Sequence, residues 1–216
     1  MMIDAEQVRT ALARHRRVDM PALPGRTNHL ESGVVVPLIW KANGLTCIAT
    51  LRSDTLRSHA GEVCFPGGRP EPGDDDLVQT ALREANEELG IEDAEILGAL
   101  SSIPLYTSDY RLCPFVAAVP SQELTPNPAE VAAILRLDVR EQLARPHIDA
   151  IPWTHPETGT EHMSPVFPLD DVLMFGATAH TFRELLVVLA PLLGVEPPPL
   201  RAGRFGWKDV LGSEPS

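Results

Sequence analysis

The stretch Arg83-Glu84-Ala85-Asn86-Glu87-Glu88-Leu89-Gly90 decides how the whole chain is read. On a helix turning about 100° per residue, Leu77, Val78, Ala81, Leu82, Ala85 and Leu89 share one arc, which predicts a buried face. Glu84, Glu87 and Glu88 stand at i, i+3 and i+4 and converge on the adjoining arc. Like charges on neighbouring turns destabilise a helix unless a cation sits among them. Hard divalent cations take oxygen ligands, commonly a few carboxylates completed by water and phosphate. The triplet alone also fits a solvated acidic face; the residues around it argue for a metal site.

Upstream, Phe65-Pro66-Gly67-Gly68 breaks regular structure and Glu71-Pro72-Gly73 marks a second turn. Gly67-Gly68 lets backbone approach a ligand closely. From Asp75 to Leu89 the pattern is helical, with Asp74, Asp75 and Asp76 supplying cap and first-turn acids. Gly90 stops it. Farther out, β-branched runs over 33–40 and 45–51 flank Ala42-Asn43-Gly44 and predict a hairpin. Strands are expected over 95–100, 112–119, 131–137, 148–153 and 162–167. Helices are expected over 3–16, with Asp4 as cap, and over 176–193. Strands and helices do not alternate regularly, so the fold class is α+β with a mixed or antiparallel sheet, and a doubly wound nucleotide-binding fold is not expected.

The 216 residues suit one domain with a full core, and 44% hydrophobic with 22% charged residues is an ordinary globular composition. Lys+Arg 18 against Asp+Glu 30 leaves a net charge of -12. That field disfavours nucleic acid and anionic membranes as partners, and an anionic substrate needs arginines or metal cations at its site. The three cysteines, Cys47, Cys64 and Cys113, share no short spacing and read as reduced thiols in a cytoplasmic compartment. Asp4 and Glu6 sit in an N-terminus without an apolar run, so no secretory signal is expected. No stretch approaches the roughly 18 apolar residues of a membrane span. The expected organisation is an N-terminal helix and linker over 1–30, a domain over 31–195, and an irregular tail over 196–216.

Gly68-Arg69-Pro70-Glu71-Pro72-Gly73-Asp74 followed by Arg83 to Gly90 and Ile91 resembles the Nudix box, whose pattern is G-x5-E-x7-R-E-U-x-E-E-x-G-U with U aliphatic. An aspartate, Asp74 or Asp75, stands for the first glutamate, and one extra residue lies before Arg83. The resemblance implies a Nudix-like α/β/α sandwich with a mixed β-sheet. It also implies Mg2+ or Mn2+ held by Glu84, Glu87 and Glu88 with the Gly68 carbonyl, and Arg83 orienting those carboxylates. The general base it implies is Glu87 or Glu88, with Glu130 a candidate from a distant loop.

A second segment, Ile48-Ala49-Thr50-Leu51-Arg52-Ser53 with Arg57, Gly61 and Phe65-Pro66-Gly67-Gly68, resembles the motif preceding the box in coenzyme A pyrophosphatases. Ser108-Asp109-Tyr110, Pro114-Phe115-Val116 and Phe175-Gly176-Ala177-Thr178-Ala179 resemble the same subgroup. The activity implied is cleavage of the diphosphate of coenzyme A or acyl-CoA to 3′,5′-ADP and 4′-phosphopantetheine, by a monomer or homodimer. Arg52, Arg57 and Arg69 are the candidate phosphate-binding residues, since guanidinium pairs with phosphate bidentately. Tyr106 and Tyr110 suit either stacking on adenine or packing. His59 reads as a structural hydrogen-bond partner and Cys64 as a small core residue. The alternatives are another nucleoside diphosphate derivative (ADP-ribose, NADH, a dinucleotide or a nucleoside triphosphate) or a catalytically silent nucleotide-binding module.

Overall fold

Asp4 begins the first element as expected. Its side chain accepts from the Gln7 amide and Gln7 answers at the Asp4 amide, a closed capping box ahead of α1 (Ala5–Arg14). The computed structural model describes residues 3–42, 44–56, 58–156 and 159–211. The expected hairpin is β1 (Leu30–Lys41) with β2 (Gly44–Arg52), registered with Leu38 opposite Cys47; Asn43 of its turn lies outside the described residues.

β3 (Val63–Cys64) returns along β2, and β4 (Gly67–Gly68) pairs antiparallel with Gly33 and Val34 of β1. Then come α2 (Leu77–Leu89), β5 (Glu95–Ala99), β6 (Ile103–Pro104), β7 (Tyr110–Ala118), β8 (Val131–Asp138) and the short α3 (Val139–Leu143). These eight strands make one sheet. It is mixed, because β7 runs parallel to β1 while β5 pairs antiparallel with β7 and β8 with β2.

A second, four-stranded sheet begins with β9 (Ile148–Thr154), β10 (Glu161–Leu169) and β11 (Val172–Met174) and is completed from the C-terminal segment. α4 (Gly176–Leu189) ends before a single 3-10 turn at Pro191–Leu193, as a proline there requires. The tail expected to be irregular instead holds β12 (Leu200–Ala202) and α5 (Trp207–Leu211). β12 lies parallel to β9, and Arg204 pairs with the buried Asp149 at 3.2 Å. That pairing joins segments far apart in the chain, so local composition does not reveal it.

The large sheet is covered on both faces, which explains why β1 reads as a continuous apolar run. Val35, Ile39 and Ile48 face Ala81, Ala85 and Leu89 of α2. Val34, Val36, Leu38, Cys47 and Ala49 belong to the opposite core with Val8, Leu12, Phe182 and Leu186 of α1 and α4. This is the α/β/α sandwich with a mixed sheet that the resemblance implies. At Gly33 the helix lies almost on the strand: a Cβ there would overlap the Leu77 carbonyl and stand 3.2 Å from the Ala81 nitrogen. Close approach of α2 to β1 therefore depends on that glycine.

Candidate active site

Helix α2 starts at Leu77, two residues later than its periodicity suggests, because the Asp76 side chain caps it by accepting from the Gln79 amide. No acid stands in its first turn, so Asp74 and Asp75 are free for other work. Gly90 ends it in the left-handed conformation at φ 67°, as expected for glycine at that position.

Of the two candidate partners of Arg83, the structure selects Asp74. Arg83 Nε and Nη2 each donate to one Asp74 oxygen at 3.1 Å, a bidentate pair. Asp75 is occupied at the helix start by Gln79. Hydrogen bonds from Arg83, then from the Glu71 amide, hold the Asp74 carboxyl down to about 2. Its oxygen Oδ2 also accepts from Thr80 at 2.9 Å. Arg83 spends its remaining donors on Glu84 Oε1, Glu87 Oε2 and the Arg69 carbonyl, each at 3.1 Å. It thus binds the box together end to end.

The three glutamates are not equivalent. Glu87 is 53% exposed, Glu84 16%, and Glu88 is buried at 3%. Glu88 therefore lies on the buried face, while Leu77, Val78 and Leu82, expected there, are only partly covered. Burial pushes the Glu88 carboxyl up to about 8 against a hydrogen bond at the Gly67 backbone and the nearby Arg52 charge. Glu84 is also raised, mainly by burial. Glu130 adds negative charge beside both.

The Gly68 backbone supports this cluster directly. A Cβ on Gly68 would stand 2.9 Å from Glu84 Oε2 and closer still to Oε1 and Cδ, so any other residue there would push the carboxylate from this position. Carboxylates gathered on one side of a helix, against a backbone kept bare by glycine, suit a hard divalent cation. Among the described residues no three His, Cys, Asp or Glu side chains enclose an ion by themselves. Glu84 and Glu87 both lie on Arg83 instead. A cation completed by water and phosphate needs no such cage.

The candidate phosphate-binding residues diverge. Arg52, at the end of β2, lies beside Glu88 and Cys64, and its Nε is buried without a partner among the described residues. Arg69 stacks over the Tyr110 ring at 4.5 Å, so packing claims Tyr110, whereas Tyr106 is 47% exposed. Arg57 lies outside the described residues. The three cysteines are free thiols, and burial raises Cys64 to about 11 and Cys113 to about 11, far from thiolate at neutral pH.

Sequence reasoning missed Asn28. Buried at 3% with φ 41°, it donates from Nδ2 to the carbonyls of Leu105, Ser108 and Tyr110 at 3.0–3.1 Å and accepts from the Leu23 amide. It fixes the loop that carries Tyr106. The only local signal was an asparagine, a residue that tolerates positive φ, in an otherwise patternless linker.

The model of the NUDIX domain matches residues 29–154, more than half of the chain. A protein of Photorhabdus laumondii described as an uncharacterised Nudix hydrolase, NudL, is 35% identical over 175 residues, covering 78% of this chain and 91% of its own. The NudL of Yersinia pestis is 35% identical over 159 residues, 72% of this chain and 77% of its own. A solved structure of a C. elegans Ap4A hydrolase binary complex aligns with TM-score 0.43 and 16% identity, over 52% of this chain and 82% of that one. No described helix is long and apolar enough to cross a membrane. With its box folded as loop, capped helix and glycine stop around one carboxylate cluster, the chain belongs to the Nudix hydrolase family.

Proposed function

We propose that the protein is a divalent-metal-dependent pyrophosphohydrolase that cleaves the diphosphate of coenzyme A or an acyl-CoA to 3′,5′-ADP and 4′-phosphopantetheine. Water adds across one P–O–P linkage, so two phosphate monoesters leave. The observation that carries the reading is the position of Arg52. The first fixed arginine of the segment resembling the coenzyme A motif stands next to buried Glu88, with a buried Nε that has no partner among the described residues. A guanidinium so placed offers fixed positive charge to a phosphate in a protein of net charge -12. Arg57 and Arg69 are proposed to bind further phosphate oxygens.

Glu84, Glu87 and Glu88 with the Gly68 carbonyl would hold Mg2+ or Mn2+. Such an ion neutralises diphosphate charge and makes a bound water more acidic. Arg83 is a positioning group: Asp74 anchors it, and it in turn holds Glu84 and Glu87. Proton removal from the attacking water falls to Glu87, Glu88 or Glu130. Glu87 is the open one of the first two, and Glu130 is held beside the end of β2, its backbone carbonyl accepting from the Ser53 amide at 2.8 Å.

The test compares hydrolysis of coenzyme A, dephospho-coenzyme A, ADP-ribose, NADH and dGTP with Mg2+ or Mn2+, identifying products. Preference for coenzyme A with loss on removing the 3′-phosphate is the expected result. Faster turnover of ADP-ribose or NADH would move the substrate elsewhere in the family. No turnover of any of them would leave a silent nucleotide-binding module.

A further inference from the structure

We propose that His59 is a positioning residue that latches the connection between β2 and β3 onto the loop between β6 and β7, fixing the two walls beside the carboxylate cluster. The proposal rests on the pyrophosphohydrolase reading only for its kinetic consequence.

His59 is one of three non-glycine residues with positive φ among those described, at φ 57°, a region disfavoured once a Cβ is present. Such a conformation persists only where surrounding contacts enforce it. Here both ring nitrogens are engaged: Nδ1 lies 2.9 Å from Glu62 Oε2 and Nε2 lies 3.1 Å from Thr107 Oγ1. Nδ1 faces a carboxylate, so it carries the hydrogen, and in the neutral ring Nε2 accepts from the Thr107 hydroxyl. A threonine hydroxyl can also accept, so the link survives protonation of the ring.

The two segments it joins are each anchored independently. The β2–β3 connection closes on Arg52, whose amide donates to the Glu62 carbonyl and whose carbonyl accepts from Gly61. Ser53 ties it to Glu130. The other loop is held by Asn28 and by Asp109, which accepts from the Thr27 amide at 3.0 Å. It presents Tyr106 to solvent and leads to Tyr110, under Arg69. The segments are 48 residues apart, and among the described residues the His59–Thr107 bond is the side-chain hydrogen bond joining them. His59 thereby couples the arginine-bearing wall to the aromatic one.

The test uses Thr107→Val, Thr107→Ser, His59→Gly and the double variant His59→Gly with Thr107→Val. Thr107→Val leaves the His59 backbone alone, and His59→Gly removes the latch while relieving the φ constraint. Hydrogen exchange over 53–62 should quicken in Thr107→Val and stay at the wild-type rate in Thr107→Ser. For the preferred nucleoside diphosphate derivative, KM should rise about fivefold to tenfold, the scale of one lost hydrogen bond, with kcat unchanged. The serine should restore it, and the double variant should be no worse than the worse single one. Unchanged exchange over 53–62 in Thr107→Val, or effects on KM that multiply in the double variant, would overturn the latch. If the wild-type protein hydrolyses none of the substrates, the pyrophosphohydrolase reading falls and the exchange result alone decides the latch.

Discussion

Replacing Gly68 by alanine separates site from fold more cleanly than any other change. Gly68 lies outside the left-handed region, so alanine brings no backbone strain there. The atoms nearest the new methyl would be those of the Glu84 carboxylate, at 2.9 Å for Oε2 and less for Oε1 and Cδ. Ordinary contact begins near 3.4 Å, so the carboxylate must retreat by about 1 Å, which a flexible glutamate tip does cheaply. Stability should fall by less than about 1 kcal/mol, which in a domain of this size is roughly 2–4 °C of melting temperature or less. The site responds differently, since a displacement of about 1 Å in a reacting constellation costs on the order of 100-fold in rate, or about 2.7 kcal/mol. The assay pairs metal-dependent hydrolysis of coenzyme A and ADP-ribose with thermal melting in EDTA. Wild-type kcat/KM in Gly68→Ala would refute a functional role for Glu84. A collapse in melting temperature of 10 °C or more, on the scale of about 3 kcal/mol, would refute the claim that the Glu84 tip yields cheaply.

Three further outcomes follow from the same geometry. In Gly33→Ala the obstacle is the Leu77 carbonyl, so helix and strand must part; a loss of about 1–3 kcal/mol is expected, roughly 3–10 °C by thermal melting, with activity falling in parallel. Glu88→Gln replaces a buried carboxyl whose proton is held up to about 8 by a neutral isostere; the metal-free melting temperature at pH 7 should be kept or raised while metal-dependent turnover is lost, and a destabilised but active variant would contradict both roles. Burial, with Arg183 and His162 nearby, lowers His180 from 6.5 to about 4. Its folded pKa lies below its unfolded one, so the unfolded chain binds the extra proton. Stability from this residue is intact above pH 6.5 and declines as pH falls toward 4, by at most about 3 kcal/mol. Melting curves of His180→Gln should show a correspondingly shallower acid limb, and an unchanged limb would count against it.

The Arg83 network offsets part of the repulsion within a helix bearing three nearby glutamates. One guanidinium reaches Asp74, Glu84 and Glu87 at 3.1 Å and so offsets the repulsion that the sequence leads one to expect. The balancing charge stands on the helix itself, and Asp74 keeps it there. Arg83 thus engages two of the three carboxylates, while Glu88 stays apart in the interior.

Local patterns settle much of this protein. The capped helix with its glycine stop, the hairpin of β1 and β2, and the Gly68-to-Glu88 spacing were legible because each depends on neighbours within a few residues. Helical periodicity could not rank the glutamates, since one residue is about 100° of rotation and a partner decides which flank of the arc is covered. Packing of α2 on β1 at Gly33 buries Glu88 and leaves Glu87 outside. The choice of Asp74 over Asp75 came from the cap at Asp76, which turns Asp75 toward Gln79. The parallel pairing of β1 with β7, β12 beside β9, and the loop held by Asn28 join segments tens of residues apart. Hydrogen bonds between distant strands and linkers leave no periodic trace in either partner, so the residue types and their spacing were decided by the sequence, and their burial, charge state and company by the tertiary structure alone.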